Sequence, residues 1–257
     1  MNIDVLAREL NDARRSRTPV TPLTERHHAM TLEDAYAIQQ AGIEMRLADG
    51  ERLIGGKLGF TSKAMQRAMN VHHPNYGWLT DAMLVRDGVV RLDTLIHPKI
   101  EPEIAFLLGA ALDPPVNASD VLAATDRVVP CLEVVDSRYV GFRFGPLDNI
   151  ADNSSAGMLV LGSPVSPEGI ALPLIGVVVE RDGRLHATAA GAAALDHPAA
   201  AVAWMVNNNR TKTGFRAGDL IISGGLCAPV DLNEATVVTA DFDRLGAVTV
   251  RAASTRA

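Results

Sequence analysis

Leu95-Ile96-His97-Pro98-Lys99-Ile100-Glu101-Pro102-Glu103-Ile104-Ala105-Phe106-Leu107-Leu108 is the stretch from which the fold can be read. It alternates as a strand does, and residues two apart on a strand share a face. Glu101 and Glu103 therefore project together, while Ile100 and Ile104 face the other way. A second apolar run, Pro130-Cys131-Leu132-Glu133-Val134-Val135-Asp136, carries a further carboxylate in Glu133. Three carboxylates drawn together on semi-buried strands repel one another and hold their protons to higher pH unless a cation neutralises them. An all-oxygen set suits Mg²⁺ or Mn²⁺ better than zinc. The plain alternative is a pair of solvent-facing strand glutamates, which E-x-E alone does not exclude.

At 257 residues and 47% hydrophobic, the chain can bury a substantial core. Its net charge of −6 leaves no footprint for nucleic acid or an anionic membrane. No apolar run reaches the roughly 18 residues a membrane helix needs. Residues 1–17 lack a continuous apolar core and mix Asp4, Glu9 and Asp12 with arginines, so neither a signal nor a transit peptide is expected. Cys131 and Cys227, with no C-x-x-C, read as free thiols of a cytoplasmic protein. Each is a candidate nucleophile, or more simply a small buried side chain.

Toward the N-terminus, residues 3–15 read as a short helix with Val5, Leu6 and Leu10 on one side, followed by a loop at Pro19 and Pro22. Thr31-Leu32-Glu33-Asp34 looks like an N-cap with an acid three residues on, and Gly50 would close the helix it starts. This divides the chain into an N-terminal helical segment, 1–52, and a catalytic β-rich domain, 53–257. In the latter, strand-like runs are expected at 53–54, 89–92, 100–108, 128–135, 159–161, 174–179, 220–222, 235–242 and 248–250. Asp182-Gly183 marks a hairpin. Helices are expected at 62–70, at 118–124 after the N-cap Asn117, and at 197–208. Many strands with few regularly alternating helices favour α+β over a doubly wound parallel sheet.

Gly55-Gly56-Lys57-Leu58-Gly59-Phe60-Thr61-Ser62-Lys63 is the other unusual segment. Leu58 follows Lys57 where a P-loop needs Ser or Thr, so the glycines point instead to backbone approaching a ligand, with Lys57 directed into a site. A solvated lysine in a glycine-rich turn is the alternative. Thr61 or Ser62 is placed to cap the next helix. The polar cluster Ile150-Ala151-Asp152-Asn153-Ser154-Ser155-Ala156-Gly157 reads as a turn, or as donors for an anion. The histidines lack zinc-ligand spacing. Neither G-x-S-x-G nor G-x-G-x-x-G is present.

Taken in order, Gly56-Lys57-Leu58-Gly59-Phe60-Thr61-Ser62, Pro74-Asn75-Tyr76-Gly77, His97-Pro98-Lys99-Ile100-Glu101-Pro102-Glu103-Ile104, Glu133-Val134-Val135-Asp136-Ser137-Arg138-Tyr139, Ala151-Asp152-Asn153-Ser154-Ser155 and Ser223-Gly224-Gly225-Leu226 resemble the 2-oxopent-4-enoate hydratase and 4-oxalocrotonate decarboxylase family of the fumarylacetoacetate hydrolase superfamily. The resemblance spans about residues 32–250. It implies a mixed β-sandwich or roll with an N-terminal helical part, and Mg²⁺ or Mn²⁺ held by Glu101, Glu103 and Glu133. It further implies a catalytic Lys57, and substrate contacts from Thr61, Asn75, Asp152 and Ser223. The expected partner is a small 2-oxo acid. A homo-oligomer, and for a decarboxylase a complex with its cognate hydratase, are implied as well.

Within that family the expected reaction is decarboxylation of 2-oxo-3-hexenedioate (4-oxalocrotonate) to 2-hydroxypenta-2,4-dienoate, in breakdown of aromatic compounds; hydration of that dienoate is the alternative. His97-Pro98-Lys99-Ile100-Glu101, Asp136-Ser137-Arg138-Tyr139 with Phe142 and Phe144, and Ser223-Gly224-Gly225-Leu226 resemble the decarboxylase branch. Many hydratases carry an acid where this chain has Asn75, and an amide cannot serve as a general base. Cys227 departs from both branches, where threonine is common. A superfamily hydrolase would need a histidine–acid pair that the sequence does not display, and a non-catalytic oxo-acid-binding subunit is the remaining alternative.

Overall fold

Polar side chains set where several of the helices begin. The structure of the protein, a computed structural model, describes residues 1–68, 70–211 and 214–254. Helix α1 (Ile3–Ser16) starts where Asn2 accepts from the Val5 N–H at 3.2 Å. After the short α2 (Leu23–Arg26), α3 (Leu32–Ala48) opens on a reciprocal Thr31–Asp34 capping box, as its sequence predicts. Leu6, Leu10, Leu23 and Ile38 share an apolar cluster with Tyr139, Ile150 and Ala151, which joins these helices to residues far along the chain. The buried Gln39 amide adds a polar tie, donating to both the Tyr76 and Ile150 carbonyls at 2.9 Å.

The chain then runs through β1 (Leu53–Gly59), α4 (Lys63–Ala68), β2 (Asn75–Thr80), β3 (Leu84–Val85), β4 (Val89–Arg91), β5 (Lys99–Leu108), α5 (Ala118–Ala124) and β6 (Thr125–Val135). It continues with α6 (Pro146–Ala151), β7 (Ala156–Leu161), β8 (Gly176–Arg181), β9 (Arg184–Ala190), α7 (Pro198–Asn208), β10 (Leu220–Ile222), β11 (Val230–Asp231), β12 (Val237–Phe242) and β13 (Gly246–Ala253). Of the helix expected at 62–70, residue 69 lies outside the described residues. Asn117 and Asp120 cap α5 reciprocally, and His197 accepts from the Ala199 N–H to start α7.

Two mixed sheets result, ordered β2-β1-β10-β5-β6-β7-β3, with β11 also on β5, and β4-β13-β12-β8-β9. Ile100, Ile104 and Phe106 of β5 and Leu132 and Val134 of β6 face the main core. They meet Val238, Ala240 and Val250 of the smaller sheet and Val202 and Met205 of α7. The opposite face of β5 and β6 carries Ala105, Val129 and Cys131 in a second apolar cluster, and with them the carboxylates. This is the α+β architecture expected. Among the described residues, no helix is long and apolar enough to cross a membrane.

Three local readings change. Gly55 to Gly59 are the body of a strand rather than a glycine-rich turn; Lys57 and Gly59 line the cavity, whereas a Cβ on Gly56 would lie 2.1 Å from the Met205 methyl, so that glycine lets α7 close onto β1. β2 escapes an alternation search because all six of its residues are buried, leaving no polar face to mark the period. Leu174 ends a 3₁₀ turn, and β8 begins only at Gly176.

Candidate active site

The antiparallel register of β5 and β6 sets Glu101 opposite Glu133 and Glu103 opposite Cys131. One oxygen from each of Glu101, Glu103 and Glu133 lies within 4.8 Å of the others. Lys57 arrives from β1 through β10, whose Ile222 pairs with both Lys57 and Ala105. Its ammonium stands 3.0 Å from Glu133 Oε2, without hydrogen-bond geometry, and Lys57, Glu103 and Glu133 are all nearly solvent-free.

Burial pushes the Glu101 carboxyl up to about 7, with Lys57 opposing and Glu133 adding to the rise. Glu103 is raised well above the usual carboxylate range by burial first and by Glu133 second. Burial by itself would lower the Lys57 pKa, but the pull of Glu133, Glu103 and Glu101 outweighs it and raises it. Against one ammonium, three clustered carboxylates leave excess negative charge. Glu103 Oε1 and Glu133 Oε1 are buried without a hydrogen-bond partner among the described residues, and Glu133 Oε2 meets only the Lys57 ammonium. Unsatisfied, all-oxygen and converging, this donor set fits a hard divalent cation. Glu103 Oε2 is held in place by the Gly224 N–H at 2.7 Å.

Lys57 is also fixed from behind. Its ammonium donates to the Ser154 carbonyl at 2.9 Å and to Ser154 Oγ at 3.4 Å. Asn153, Ser154 and Ser155 have φ of 50°, 52° and 57°. Left-handed residues without glycine cost roughly 1–2 kcal/mol each and rarely occur in succession. Asn153 offsets part of that cost by clamping the Trp78 backbone, accepting from its N–H at 2.8 Å and donating to its carbonyl at 2.9 Å. Gly59 is required beside this turn, since a Cβ there would lie 2.2 Å from Asn75 Oδ1 and 2.5 Å from Ser154 Oγ.

A cavity of about 410 Å³ opens over Lys57 and Glu101. Thr61 lines it, and Thr61 Oγ1 is buried without a partner among the described residues. Outward along β5, Lys99 shares the face of Glu101 and Glu103. Its ammonium lies 5.1 Å over the Phe142 ring and 2.9 Å from Asp231. Phe144, 5.6 Å from Phe142, and Arg143 complete that end.

Lys57, Thr61, Glu101, Glu103 and Glu133 are thus brought together, and three residues expected with them stand elsewhere. Asn75 is behind the wall, donating to Asn149 Oδ1 at 2.7 Å and accepting from Ser154 Oγ at 2.9 Å. Asp152 is turned away from the cavity, its carboxylate taken by the Arg138 guanidinium and by the Arg138 N–H at 3.0 Å. Arg138 also holds the Asp136 and Ala156 carbonyls, while Asp136 accepts from the Ile96 and His97 N–H groups, so this motif fastens the entry to β5. Ser223 is buried, with an unpartnered Oγ and an N–H donating to the Ile104 carbonyl, and does not line the cavity. Sequence reasoning passed over Asn149, Arg143 and the role of Lys99. The Asn153-Ser154-Ser155 run signalled a polar turn, but nothing in it signals three left-handed residues.

No protein-family model matches the chain. It is 48% identical over 209 residues to a 2-hydroxypent-2,4-dienoate hydratase of Pseudomonas putida, covering 80% of this chain and 94% of the relative. It is 38% identical over 251 residues to a 4-oxalocrotonate decarboxylase of Pseudomonas putida, covering 96% and 95%. The solved 4-oxalocrotonate decarboxylase from Pseudomonas putida G7, complexed with magnesium and adipate, superposes with a TM-score of 0.94 at 37% identity over 97% of each chain. A yeast fumarylacetoacetate hydrolase family protein, 13% identical and covering 80% of this chain and 94% of its own, shares the fold with a TM-score of 0.58. With this similarity over nearly its whole length, the chain belongs to the 4-oxalocrotonate decarboxylase and 2-oxopent-4-enoate hydratase family of the fumarylacetoacetate hydrolase superfamily.

Proposed function

We propose that the protein is a Mg²⁺- or Mn²⁺-dependent decarboxylase of 2-oxo-3-hexenedioate, releasing CO₂ and 2-hydroxypenta-2,4-dienoate. The observation that carries this reading is the order of charges on one face of β5. Glu103 and Glu101 mark a cation-holding end, and Lys99 stands roughly 6.6 Å farther out. That spacing is comparable with an extended six-carbon chain, and a substrate with a carboxylate at each end matches both. The adipate bound by the solved decarboxylase is such a dicarboxylate.

A divalent cation held by Glu101, Glu103 and Glu133 supplies a Lewis acid for the carboxylate and 2-oxo oxygens of the substrate. As the C5–C6 bond breaks, its electron pair forms the C4–C5 double bond, moves the C3 double bond to C2–C3, and charges the 2-oxygen. Lys57, kept protonated by the surrounding carboxylates, stabilises that charge and stands ready to protonate the oxygen. Lys99 orients the distal carboxylate, and Phe142 and Phe144 keep water from the carbon chain. Thr61 Oγ1, unpartnered at the wall, serves as a further contact. The reading carries with it a cytoplasmic homo-oligomer associated with the hydratase that consumes the product.

Hydration of 2-hydroxypenta-2,4-dienoate is the second reading, favoured by the 48% identical relative of that name. The Asn75 argument against it falls away, because Asn75 does not face the cavity. The test is a side-by-side assay of both compounds with Mg²⁺ and with EDTA. CO₂ release from 2-oxo-3-hexenedioate, abolished by EDTA, is expected. Loss of the dienoate chromophore without CO₂ release would favour the hydratase, and inertness toward both would overturn both readings.

A further inference from the structure

A chain of hydrogen bonds runs from Lys57 away from the carboxylates and returns to the cavity. Its direction is set at the start, because an ammonium can only donate. Ser154 Oγ accepts from Lys57, so its own proton goes to Asn75 Oδ1 at 2.9 Å. The Asn75 amide, with its oxygen so used, donates through Nδ2 to Asn149 Oδ1 at 2.7 Å. Asn149 in turn donates through Nδ2 to Ser155 Oγ at 3.0 Å. Every link passes a proton donor forward, and the last member receives one. Ser155 is buried, lines the cavity, and has no protein acceptor for its hydroxyl proton among the described residues.

We infer that Ser155 presents its O–H to an anionic oxygen of the bound substrate, and that Asn75 and Asn149 are positioning residues that hold that proton toward the cavity. The inference rests on the reading of the cavity as a 2-oxo acid site. It gives Asn75 a task that an acid could not perform. A carboxylate at 75 cannot donate to Asn149, so the Asn149 amide would turn, its oxygen would take the Ser155 proton, and the cavity would lose the donor. A carboxylate at 149 has the same consequence directly, since it accepts from Asn75 and Ser155 alike. The left-handed turn at residues 153–155 fits this role. It places two successive serines so that one supports Lys57 and the next faces the ligand.

The test uses the full chain loaded with Mg²⁺ and 2-oxoadipate, the saturated, unreactive counterpart of 2-oxo-3-hexenedioate, with binding read by titration calorimetry. Ser155→Ala, Asn75→Asp and Asn149→Asp are each expected to weaken binding by about tenfold, the value of one hydrogen bond to a charged oxygen. Asn75→Asp combined with Ser155→Ala is expected to bind no more weakly than Ser155→Ala alone, because both remove the same donor. Mg²⁺ affinity of Asn75→Asp stays at the wild-type value, because Asn75 touches none of the three clustered carboxylates. A Ser155→Ala variant that binds like wild type overturns the inference, as do losses that multiply in the double variant. If Ser155→Ala fails to fold, the near-isosteric Asn75→Asp decides by itself, and unchanged 2-oxoadipate affinity refutes the chain. Wild-type protein that does not bind 2-oxoadipate overturns the reading of the cavity and this inference with it.

Discussion

Replacing Glu103 by Gln separates a cation site from an ordinary buried ion network, because the two respond in opposite directions. Two unit charges 4.8 Å apart interact by about 3.5 kcal/mol at an effective dielectric of about 20. Without metal, Glu103→Gln removes repulsion with Glu101 and with Glu133 and forfeits one comparable attraction to Lys57, leaving a net gain of at most one such pair. Proton uptake reduces it. The native Glu103 and Glu101 carboxyls sit above their unfolded values, Glu101 at about 7, so the native state binds more protons than the unfolded chain between about pH 4.5 and 7. Stability of the metal-free wild type therefore falls as pH rises through that window, and the advantage of Glu103→Gln grows with it. At pH 8 a gain of about 2 kcal/mol is expected, or roughly 4–8 °C in melting temperature. Saturating Mg²⁺ reverses the order. At one hundred times its Kd the ion stabilises wild type by about 2.7 kcal/mol, while the variant has lost a ligand and gains little. Melting curves by circular dichroism in EDTA and across a Mg²⁺ titration measure both effects. A Glu103→Gln protein that is less stable than wild type in EDTA, or that responds to Mg²⁺ as wild type does, would refute the argument.

Lys57→Met removes the charge and leaves an unbranched side chain one atom shorter; turnover should fall at least about a hundredfold, as for loss of one preorganised donor, and an unchanged kcat would remove Lys57 from the chemistry. Mg²⁺ affinity should decline as pH drops below about 7, by up to about tenfold per unit for each proton the ion must displace from Glu101 and Glu103, and calorimetry at pH 5.5, 6.5 and 7.5 would reveal a flat profile if it does not. Gln39→Leu removes the hydrogen bonds to the Tyr76 and Ile150 carbonyls and should cost about 1–3 kcal/mol in urea unfolding with the m-value unchanged; a loss under about 0.5 kcal/mol would mean that the tie between α3, β2 and α6 is dispensable.

The strands that form the site were legible because they obey the simplest periodic rule. Glu101 and Glu103 sit two apart in an apolar run, and one antiparallel register with β6 is enough to bring Glu133 opposite. The helix caps at Thr31 and Asn117 were legible for a similar reason, being chemistry within a single turn, although the reciprocal Asp120 contact at Asn117 was not read. What the alternation could not convey was direction behind the first layer. Asn75, Asp152 and Ser154 lie within polar motifs of similar appearance. Asp152 is claimed by Arg138, Ser154 by Lys57, and Asn75 mediates between Ser154 and Asn149. Those assignments depend on which face of a turn each residue occupies, and that turn adopts backbone angles its side chains do not favour. The clamp of Asn153 on Trp78 helps hold it there, and Trp78 belongs to β2, the strand whose burial on both faces hid it from the sequence. The support of Lys57 was therefore hard to foresee for the same reason as β2. Lys57 gets its charge environment from strands that alternate and its fixed position from a turn clamped to one that does not, so a reading built on periodicity recovers the three clustered carboxylates and leaves the lysine's anchor to the structure.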